Sequence, residues 1–469
     1  MTPIFAHINR QILDTPNPAP YAKGAKRGVD EEVVRRISAD KKEPKWMLEH
    51  RLESLEIFQE KEIPKWGADL SSLDLDDIIY YARPFDYAQG DTPDDWAKVP
   101  EDIRKVYDRL GIPEAERKVL AGVGAQYESE VIYHKLKEEW ESLGVIFLDM
   151  DDAVRKHPAL VREYFMKCVP SSDHKFTALH GAVWSGGTFL YVPKDVKVRD
   201  PLQAYFRMNA KNMGQFEHTL IVADEGADVH YIEGCSAPQY GSQALHAGCV
   251  EIFVKPGAKA RYSSVENWSR DTYNLNTKRA IVSKDGTIEW VGGNMGSGCT
   301  MLYPCSVLAG DGARCDHLAI SFANKGQWQD TGVKVLHLAP NTSSKVVSKS
   351  ISKNGGTAVY RGMLKVASHA HGCTANVQCD ALLLDGESRT DTIPDIQIRN
   401  DDVTIAHEAS VGKLSEEDVF YLTSRGIPKE EALAMIVNGF IEPIIRNLPL
   451  EYAVEMNRLI ELEMEGSVG

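Results

Sequence analysis

Three residues near the end of a β-rich stretch have the types and the spacing of an iron site. Cys379 lies in the run QCDALLL, and His407 and Glu408 stand side by side in AHE, 28 and 29 positions later. If the chain forms stacked β-coils, residues one coil apart in sequence become neighbours about 5 Å apart. Thiolate, imidazole and carboxylate together suit iron, because Cys is the usual cluster ligand and the other two bind more weakly. The alternative is a surface His and Glu at a domain edge.

A second candidate thiol is Cys235, in the run YIEGCSAPQY. Gly234 and Pro238 predict a loop at the end of a strand, where we expect a thiol to be reachable from solvent. A nucleophilic thiol needs cationic neighbours that hold its thiolate, and Arg207 or Lys278 on adjacent coils could supply them. The alternative is a loop cysteine without a role.

Other cysteines form no recognisable metal motif. Cys299 and Cys305 are six positions apart, as are Cys373 and Cys379, so each pair could face one side of a strand. At about 20 Å apart in an extended strand, neither pair chelates one ion without an intervening turn. We therefore expect Cys249, Cys299, Cys305 and Cys373 to be buried small hydrophobes.

Several chemistries are absent from the sequence. No Gly-x4-Gly-Lys-[Ser/Thr] run occurs, so we expect no ATP hydrolysis by this chain alone. The run GGNMGSG lies among β-like segments and lacks the strand, turn and helix of a dinucleotide fingerprint. No Cys-x2-Cys occurs, which excludes ferredoxin-type cluster runs and most zinc ribbons. Any metal site must be assembled from distant positions.

Composition limits the class of protein. The 469 residues are 43% hydrophobic, enough for a sizeable core, and their formal net charge is -15. This charge argues against nucleic acid or an anionic membrane as the main partner. The N-terminal MTPIFAHINRQ lacks a signal-peptide pattern, and no apolar run approaches the roughly 20 residues that span a bilayer. We expect a cytoplasmic protein whose eight cysteines are too sparse for a disulfide framework.

Three regions must position these residues. Residues 1–160 have a charged, helical periodicity that predicts a mostly helical N-terminal domain, with one helix from Pro113 to Gly144 and a loop over residues 84–96. Residues 161–412 consist of short alternating runs that predict a β-core. Turn glycines at 226, 257, 286 and 312 are 31, 29 and 26 positions apart, which favours a β-helix over a long sandwich.

Residues 413–469 predict a C-terminal helical domain. Ser415 and Asp418 resemble a capping box, Gly426 suits a helix end, and Pro428 and Pro449 suit the starts of further helices. The apolar residues of this region exceed what one buried face needs. They predict either packing on the β-core or a docking surface for a partner.

Seven runs resemble one family: EGCSAPQY, LHLAPNTSSKVVSKSISKNGG, YRGMLKV, QCDALLL, SRTDTIPD, HEASVGKLSEEDVFYLTSRGI and MIVNGFIEPI. They are similar to the SufB/SufD family of the Suf iron-sulfur cluster assembly system, and within it to SufB, the scaffold subunit. The resemblance implies a mainly β fold with flanking α-helices, in which a right-handed parallel β-helix core lies between two helical domains. It also implies an assembly scaffold rather than an enzyme.

The same resemblance implies cargo and partners. A transient cluster, of 4Fe-4S type, would be built in a complex with SufD and with SufC, an ABC-type ATPase that docks on residues 413–469. Sulfur would come from the cysteine desulfurase SufS through a carrier, SufE or SufU, and finished clusters would pass to apo iron-sulfur proteins. The family also suggests reduced flavin in the complex, and a homodimer is an alternative to the heterocomplex.

Residue by residue, the resemblance places the sulfur-accepting thiol at Cys235, which matches the family's EGC, and the cluster-building thiol at Cys379, which matches QCD. His407 and Glu408 match HEA and are the implied non-thiol ligands. A polar route that carries sulfur into the β-helix is implied at Arg207, Asn209, Trp268 and Lys278.

Two positions depart from the family pattern. Ala406 stands where many members have a Glu before the His, which puts a three-residue acidic ligand set in doubt. Glu266 stands where Gln is common, which could alter the charge of the sulfur route.

Two other functions fit parts of the sequence. A SufD-like structural subunit would hold no cluster, and the presence of both Cys235 and Cys379 argues against it. A β-helix carbohydrate-active enzyme would use His407 and Glu408 as base and acid. Such enzymes usually act outside the cell, whereas we find no signal peptide here.

Overall fold

The computed structural model describes residues 19, 22, 25–83, 95–101, 103–105, 120–239, 241–446 and 450–464. Short 3-10 helices lie at Leu75–Asp77 and Trp96–Lys98. Within these ranges the α-helices are α1 (Glu31–Asp40), α2 (Lys45–Glu60), α3 (Glu138–Glu141), α4 (Met150–Lys156), α5 (Pro158–Tyr164), α6 (Lys175–Val183), α7 (Glu416–Thr423), α8 (Lys429–Ile445) and α9 (Leu450–Met464).

The strands occupy the middle of the chain. In order they are β1 (Gly122–Tyr127), β2 (Glu130–Leu136), β3 (Ile146–Asp149), β4 (Gly187–Val192), β5 (Leu202–Arg207), β6 (Gly214–Gln215), β7 (His218–Ala223), β8 (Asp228–Ser236), β9 (Ala244–His246), β10 (Cys249–Val254), β11 (Lys259–Asn267), β12 (Thr272–Asn274), β13 (Thr277–Val282), β14 (Thr287–Asn294), β15 (Cys299–Leu302), β16 (Cys305–Leu308), β17 (Arg314–Ala323), β18 (Trp328–His337), β19 (Ser343–Ser352), β20 (Thr357–Val366), β21 (Cys373–Leu383), β22 (Arg389–Ile398) and β23 (Val403–Lys413).

These strands wind into a β-solenoid of about eight turns, with helices at both ends of the chain. One wall is a sheet in the order β2-β1-β5-β8-β11-β14-β17-β19-β21-β23. In the other wall, β18 pairs with both β15 and β16 and so joins two ladders. Early coils therefore contribute two strands to this second wall, whereas later coils contribute one. The predicted β-helix core is confirmed.

Parallel pairing stacks equivalent residues of successive coils. One inward column of the first wall includes Tyr231, Tyr262 and Trp290 on β8, β11 and β14. The Tyr231 and Tyr262 ring centroids are 5.8 Å apart, and those of Tyr262 and Trp290 are 5.3 Å apart. All three belong to the main buried cluster, which fills the solenoid interior. Because successive residues of a strand face opposite sides, the alternate residues face outward.

Helices cover the outward faces of both walls over the earlier coils, whereas β22 and β23 of the last coil are largely exposed. The outward residues of the first wall pack against α8 and α9. The cluster that they share contains Ile232, Val265, Val291 and Ile351 from the strands and Val437, Ile441, Met456 and Ile460 from the helices. Those of the second wall pack against the N-terminal helices through residues such as Leu220 and Val222. No described helix is both long and apolar enough to cross a bilayer.

The predicted helix from Pro113 to Gly144 is wrong over most of its described part. Residues 122–127 and 130–136 form β1 and β2, which pair antiparallel, and β1 also pairs with the distant β5. These backbone hydrogen bonds to distant parts of the chain override the local helical periodicity. Pro113 and residues 84–94 of the predicted loop lie outside the described residues.

The C-terminal helices agree with the sequence signals. The Ser415 hydroxyl accepts a hydrogen bond from the Asp418 amide at 3.2 Å, and α8 begins directly after Pro428. Gly426, at φ +85°, lies just past the end of α7. Pro449 lies outside the described residues. The domain boundaries after residues 160 and 412 stay a prediction.

Candidate functional site

Cys379 and His407 lie on adjacent strands in the last two coils of the first wall. β21 and β23 pair in parallel with Val377 opposite His407, so alternation turns Cys379, Val377 and His407 to the same side. The Sγ of Cys379 is 3.8 Å from the Nε2 of His407. The spacing of 28 residues therefore corresponds to one coil, and it brings a thiol and an imidazole into contact.

Glu408 is placed differently. It pairs with Gln378, and both side chains are exposed on the outer face of the sheet. The structure therefore brings Cys379 together with His407 but directs the Glu408 carboxylate away from both. Ala406 lies on that same outer face, opposite Asn376.

The surroundings of Cys379 favour the protonated form of its thiol. Burial raises the pKa of Cys379 to about 12, and the nearby Asp380 adds to this, while a hydrogen bond with the Tyr360 hydroxyl opposes it. Asp380 is held by the Lys349 ammonium at 3.1 Å and by the Ser410 hydroxyl at 2.6 Å. A metal ion that binds Cys379 must therefore displace a proton.

The expectation of a reachable loop thiol at Cys235 is wrong. Cys235 lies within β8 and is 2% exposed, facing the solenoid interior. Its strand partners are Phe206 on β5 and Glu266 on β11. Because β8 pairs with β5 on one side and β11 on the other, the strand continues through Gly234, where the sequence predicted a loop. Burial, followed by the carboxylates of Glu233 and Glu266, raises the pKa of Cys235 well above its usual value.

A buried polar network surrounds Cys235. Lys278 Nζ donates to the Glu266 carboxylate at 2.5 Å, and Asn274 Nδ2 donates to its other oxygen at 2.6 Å. His246 Nε2 lies 2.5 Å from Glu217 Oε1, and its Nδ1 lies 2.8 Å from Asn274 Oδ1. Burial alone would raise the pKa of Glu266, but the positive charges of Lys278 and His246 hold it below its usual value.

Lys278 and Trp268, two of the predicted sulfur-route residues, contact this network. Lys278 belongs to it, and the Trp268 ring lies 4.4 Å from the His246 ring. Arg207 is buried and donates to the Ser236 hydroxyl at 3.0 Å, one residue beyond Cys235. The backbone amide of Asn209 donates to Glu128 at 3.1 Å.

A column of small side chains connects the surroundings of Cys235 with Cys379. On successive coils the inward residues are Glu233, Ser264, Gly292, Ala319, Ser348 and Cys379. Five rungs at a spacing of about 4.8 Å give a span of about 24 Å. A small cavity, lined by Ser264, Lys278, Gly292 and Ala319 among others, lies along part of this column.

Sequence reasoning missed Glu217, Glu233, His246 and His317 as interior polar residues. His317 lines the cavity, and burial, aided by the charge of Lys278, lowers its pKa to about 4. The position of Glu233 could have been predicted, because it stands two residues before Cys235 and residues two apart in a strand face the same side.

The four cysteines predicted to be buried, Cys249, Cys299, Cys305 and Cys373, are buried. Cys373 and Cys379 share the inward face of β21, in agreement with their even spacing. Cys299 and Cys305 do not share a strand, because they begin β15 and β16 separately.

The chain is similar throughout to proteins of one kind. A sequence model described as "SUF system FeS cluster assembly, SufBD core domain" matches residues 206–440, and one described as "SufBD protein N-terminal region" matches residues 112–204. An "Iron-sulfur cluster assembly SufBD family protein" of Staphylococcus epidermidis is 56% identical over 445 residues, which cover 95% of each chain. Relatives from Staphylococcus haemolyticus and Staphylococcus aureus are also 56% identical over 95% of each chain.

Proposed function

This chain belongs to the SufBD family of iron-sulfur cluster assembly proteins, and from that premise we propose that it is a SufB-type scaffold on which a nascent cluster is built. The observation that carries this proposal is the contact of 3.8 Å between Cys379 Sγ and His407 Nε2. A thiol and an imidazole at this distance could ligate the same iron ion. Membership of this family argues against a carbohydrate-active enzyme.

The proposed ligands of the cluster are one strongly binding thiolate and other groups that bind iron more weakly. Cys379 binds as thiolate, His407 binds through a ring nitrogen, and a cluster held in this way can leave for an acceptor protein. Glu408 is on the outer face of β23, so it becomes a ligand only if the last coil rearranges or if a partner brings metal to that face. A 4Fe-4S cluster is the cargo that we propose, with its remaining ligands supplied from outside this chain.

Sulfur enters at Cys235 in this proposal. The Cys235 sulfur attacks the terminal sulfur of a donor persulfide and forms the persulfide Cys235 Sγ–SH, and the thiol proton of Cys235 goes to the donor's sulfur as that sulfur leaves as a thiol. Lys278 and Trp268 lie in the polar network beside it, which supports their role in steering a sulfur anion. The inward residues between Glu233 and Cys379 are small, and a cavity lies along part of their column, which supports a route along the interior toward the second thiol.

Two exposed apolar surfaces support the proposed partners. Phe420 on α7 is 72% exposed and Tyr421 is 57% exposed, and Met435 on α8 is also exposed, which suits docking of a SufC-type ATPase. On the last coil, Ile393, Ile396 and Ile398 of β22 are exposed. We propose that this end binds SufD or a second copy of the chain, in the cytoplasm.

The sulfur step is tested by persulfide trapping. The full chain is incubated with SufS, its carrier and radiolabelled cysteine, and label that a reductant releases is counted. We expect Cys235→Ser to lose the label and Cys249→Ser to keep it, because Cys249 is equally buried but lies on the outer face of the other wall. Equal labelling of both variants would refute the role of Cys235 and favour a SufD-like structural subunit.

A further inference from the structure

We infer that Glu217, Glu233 and Cys235 form a binding site for ferrous iron beside the sulfur-accepting thiol. The inference deepens the proposed function and takes from it the role of Cys235. One carboxylate oxygen of each glutamate and the Sγ of Cys235 all lie within 4.8 Å of one another. Each of the three residues is at most 2% exposed. Iron would thus meet sulfur at this thiol before either reaches Cys379.

The backbone holds the three groups rigidly. Glu233 and Cys235 stand two positions apart on β8, so both side chains face inward. Glu217 directly precedes β7, a strand of the opposite wall. The ligands therefore converge from both walls of the solenoid.

One oxygen of this cluster has no partner among the described residues. Glu217 Oε2 is buried without a hydrogen bond, whereas Glu217 Oε1 is oriented by His246 Nε2 at 2.5 Å. An unpartnered buried carboxylate oxygen is costly, and a metal ion would satisfy it. In metal sites, ligands are commonly held in position by hydrogen bonds to neighbouring residues, and His246 contacts Glu217 in this way.

The charge balance points to a cation. Of the buried carboxylates here, Glu266 pairs with Lys278 and Glu217 pairs with His246. Glu233 has no ion pair within 4 Å among the described residues. The Lys278 ammonium, already paired with Glu266, and the Tyr262 hydroxyl favour its ionised form, and its oxygens approach the Thr219 hydroxyl at 3.2 Å and the Cys235 thiol at 3.9 Å. A divalent ion would offset one carboxylate and one thiolate. Two oxygens and one thiolate suit iron better than magnesium or calcium, which prefer oxygen alone.

A second cluster in the same molecule gives the contrast. His180, His218 and Cys249 also lie close enough to share an ion. Their nitrogens, however, are already used: His180 Nδ1 contacts the Ala247 carbonyl, His180 Nε2 contacts His218 Nδ1, and His218 Nε2 contacts Glu251. Each histidine would offer one nitrogen, so metal binding there would break one or two of these hydrogen bonds, and we assign that cluster a structural role.

Cobalt(II) is the probe that tests the site. The full chain carrying Cys379→Ala, which removes the proposed cluster thiol, is titrated anaerobically with Co²⁺ and followed by the near-ultraviolet absorption of a cobalt-thiolate bond. We expect binding with one thiolate band, a loss of at least tenfold in affinity for Glu217→Gln and for Glu233→Gln, and no band for Cys235→Ser. Cys249→Ala should bind as before.

Persulfide labelling of the same variants separates this inference from the proposed function. Glu217→Gln preserves the shape of the side chain and the oxygen that contacts His246, so we expect it to fold and to accept sulfur. Unchanged Co²⁺ affinity in a Glu217→Gln chain that still accepts sulfur would overturn the iron site and leave the scaffold proposal standing. Glutamate-dependent Co²⁺ binding by a chain that accepts no sulfur would support the site and refute the proposed sulfur step.

Discussion

Lys278→Met removes the cation from a fully buried ion pair inside the solenoid. The Lys278 ammonium lies 2.5 Å from the Glu266 carboxylate, and both side chains are 1% exposed. The substitution leaves Glu266 with the favourable contacts of Asn274 and His246, while the carboxylates of Glu217 and Glu233 are close by. Removing one partner of a buried pair typically costs about 3–5 kcal/mol, because the other charge stays desolvated.

The expected shift in melting temperature follows from the size of the chain. For 469 residues, an unfolding entropy of about 2.1 cal/mol/K per residue gives about 1 kcal/mol/K in total. Lys278→Met should therefore lower the melting temperature by about 3–5 °C. Glu266→Gln retains an acceptor for Asn274, so the double variant Lys278→Met/Glu266→Gln should recover most of that loss.

Scanning calorimetry of the native chain, both single variants and the double variant gives the coupling between the two charges. We expect a coupling of about 2 kcal/mol or more. Lys278→Met should also be more harmful at pH 8 than at pH 5, because an unpaired Glu266 can take up a proton at the lower pH. Additive effects of the two substitutions, or a Lys278→Met chain as stable as the native one, would refute this account of the network.

Two further predictions concern stability. Burial raises the pKa of Glu251 to about 7 from 4.5, so the stability contributed by its protonated carboxyl is fully present below about pH 4.5 and is lost as the pH rises through 7. The free energy of unfolding of Glu251→Gln, obtained from melting curves, should therefore gain about 3 kcal/mol relative to that of the native chain over this range. A difference that stays constant with pH would contradict the burial argument. A Cβ at Gly332 would collide with the backbone of Arg361, whereas a Cβ at Gly292 would meet Ser264 Oγ at the ordinary contact distance of 3.8 Å. Gly332→Ala should therefore lower the melting temperature by about 3 °C or more, and Gly292→Ala by about 1 °C or less. Equal shifts for the two glycine variants would show that the packing between coils is looser than the structure indicates.

The solenoid was predictable because its signals are local and repeat with each coil. Alternating side chains and turn glycines mark the coils, and Gly226, Gly257 and Gly312 do adopt positive φ angles. The same period explains why Cys379 and His407 are neighbours. Parity within a strand already implies that His407 and Glu408 face opposite sides, so the side-by-side pair could not place both groups on one face.

Other features depend on contacts that a sequence does not display. Residues 122–127 have a helical pattern, yet they form a strand because β5 offers a backbone partner about 80 positions away. Cys235 is flanked by Gly234 and Pro238, but pairing with β5 and β11 extends β8 past the glycine. The convergence of Glu217 with Cys235 depends on the distance between the two walls, which no periodicity specifies.

The most direct test of the scaffold proposal is anaerobic reconstitution with ferrous iron and sulfide. Iron, acid-labile sulfide and the Mössbauer spectrum are measured for the native chain, Cys379→Ala and Cys373→Ala, a matched control on the same strand and face. We predict a labile cluster in the native chain and in Cys373→Ala, and none in Cys379→Ala. A cluster that forms equally well in Cys379→Ala would contradict the proposal that Cys379 is the thiol on which the cluster is built.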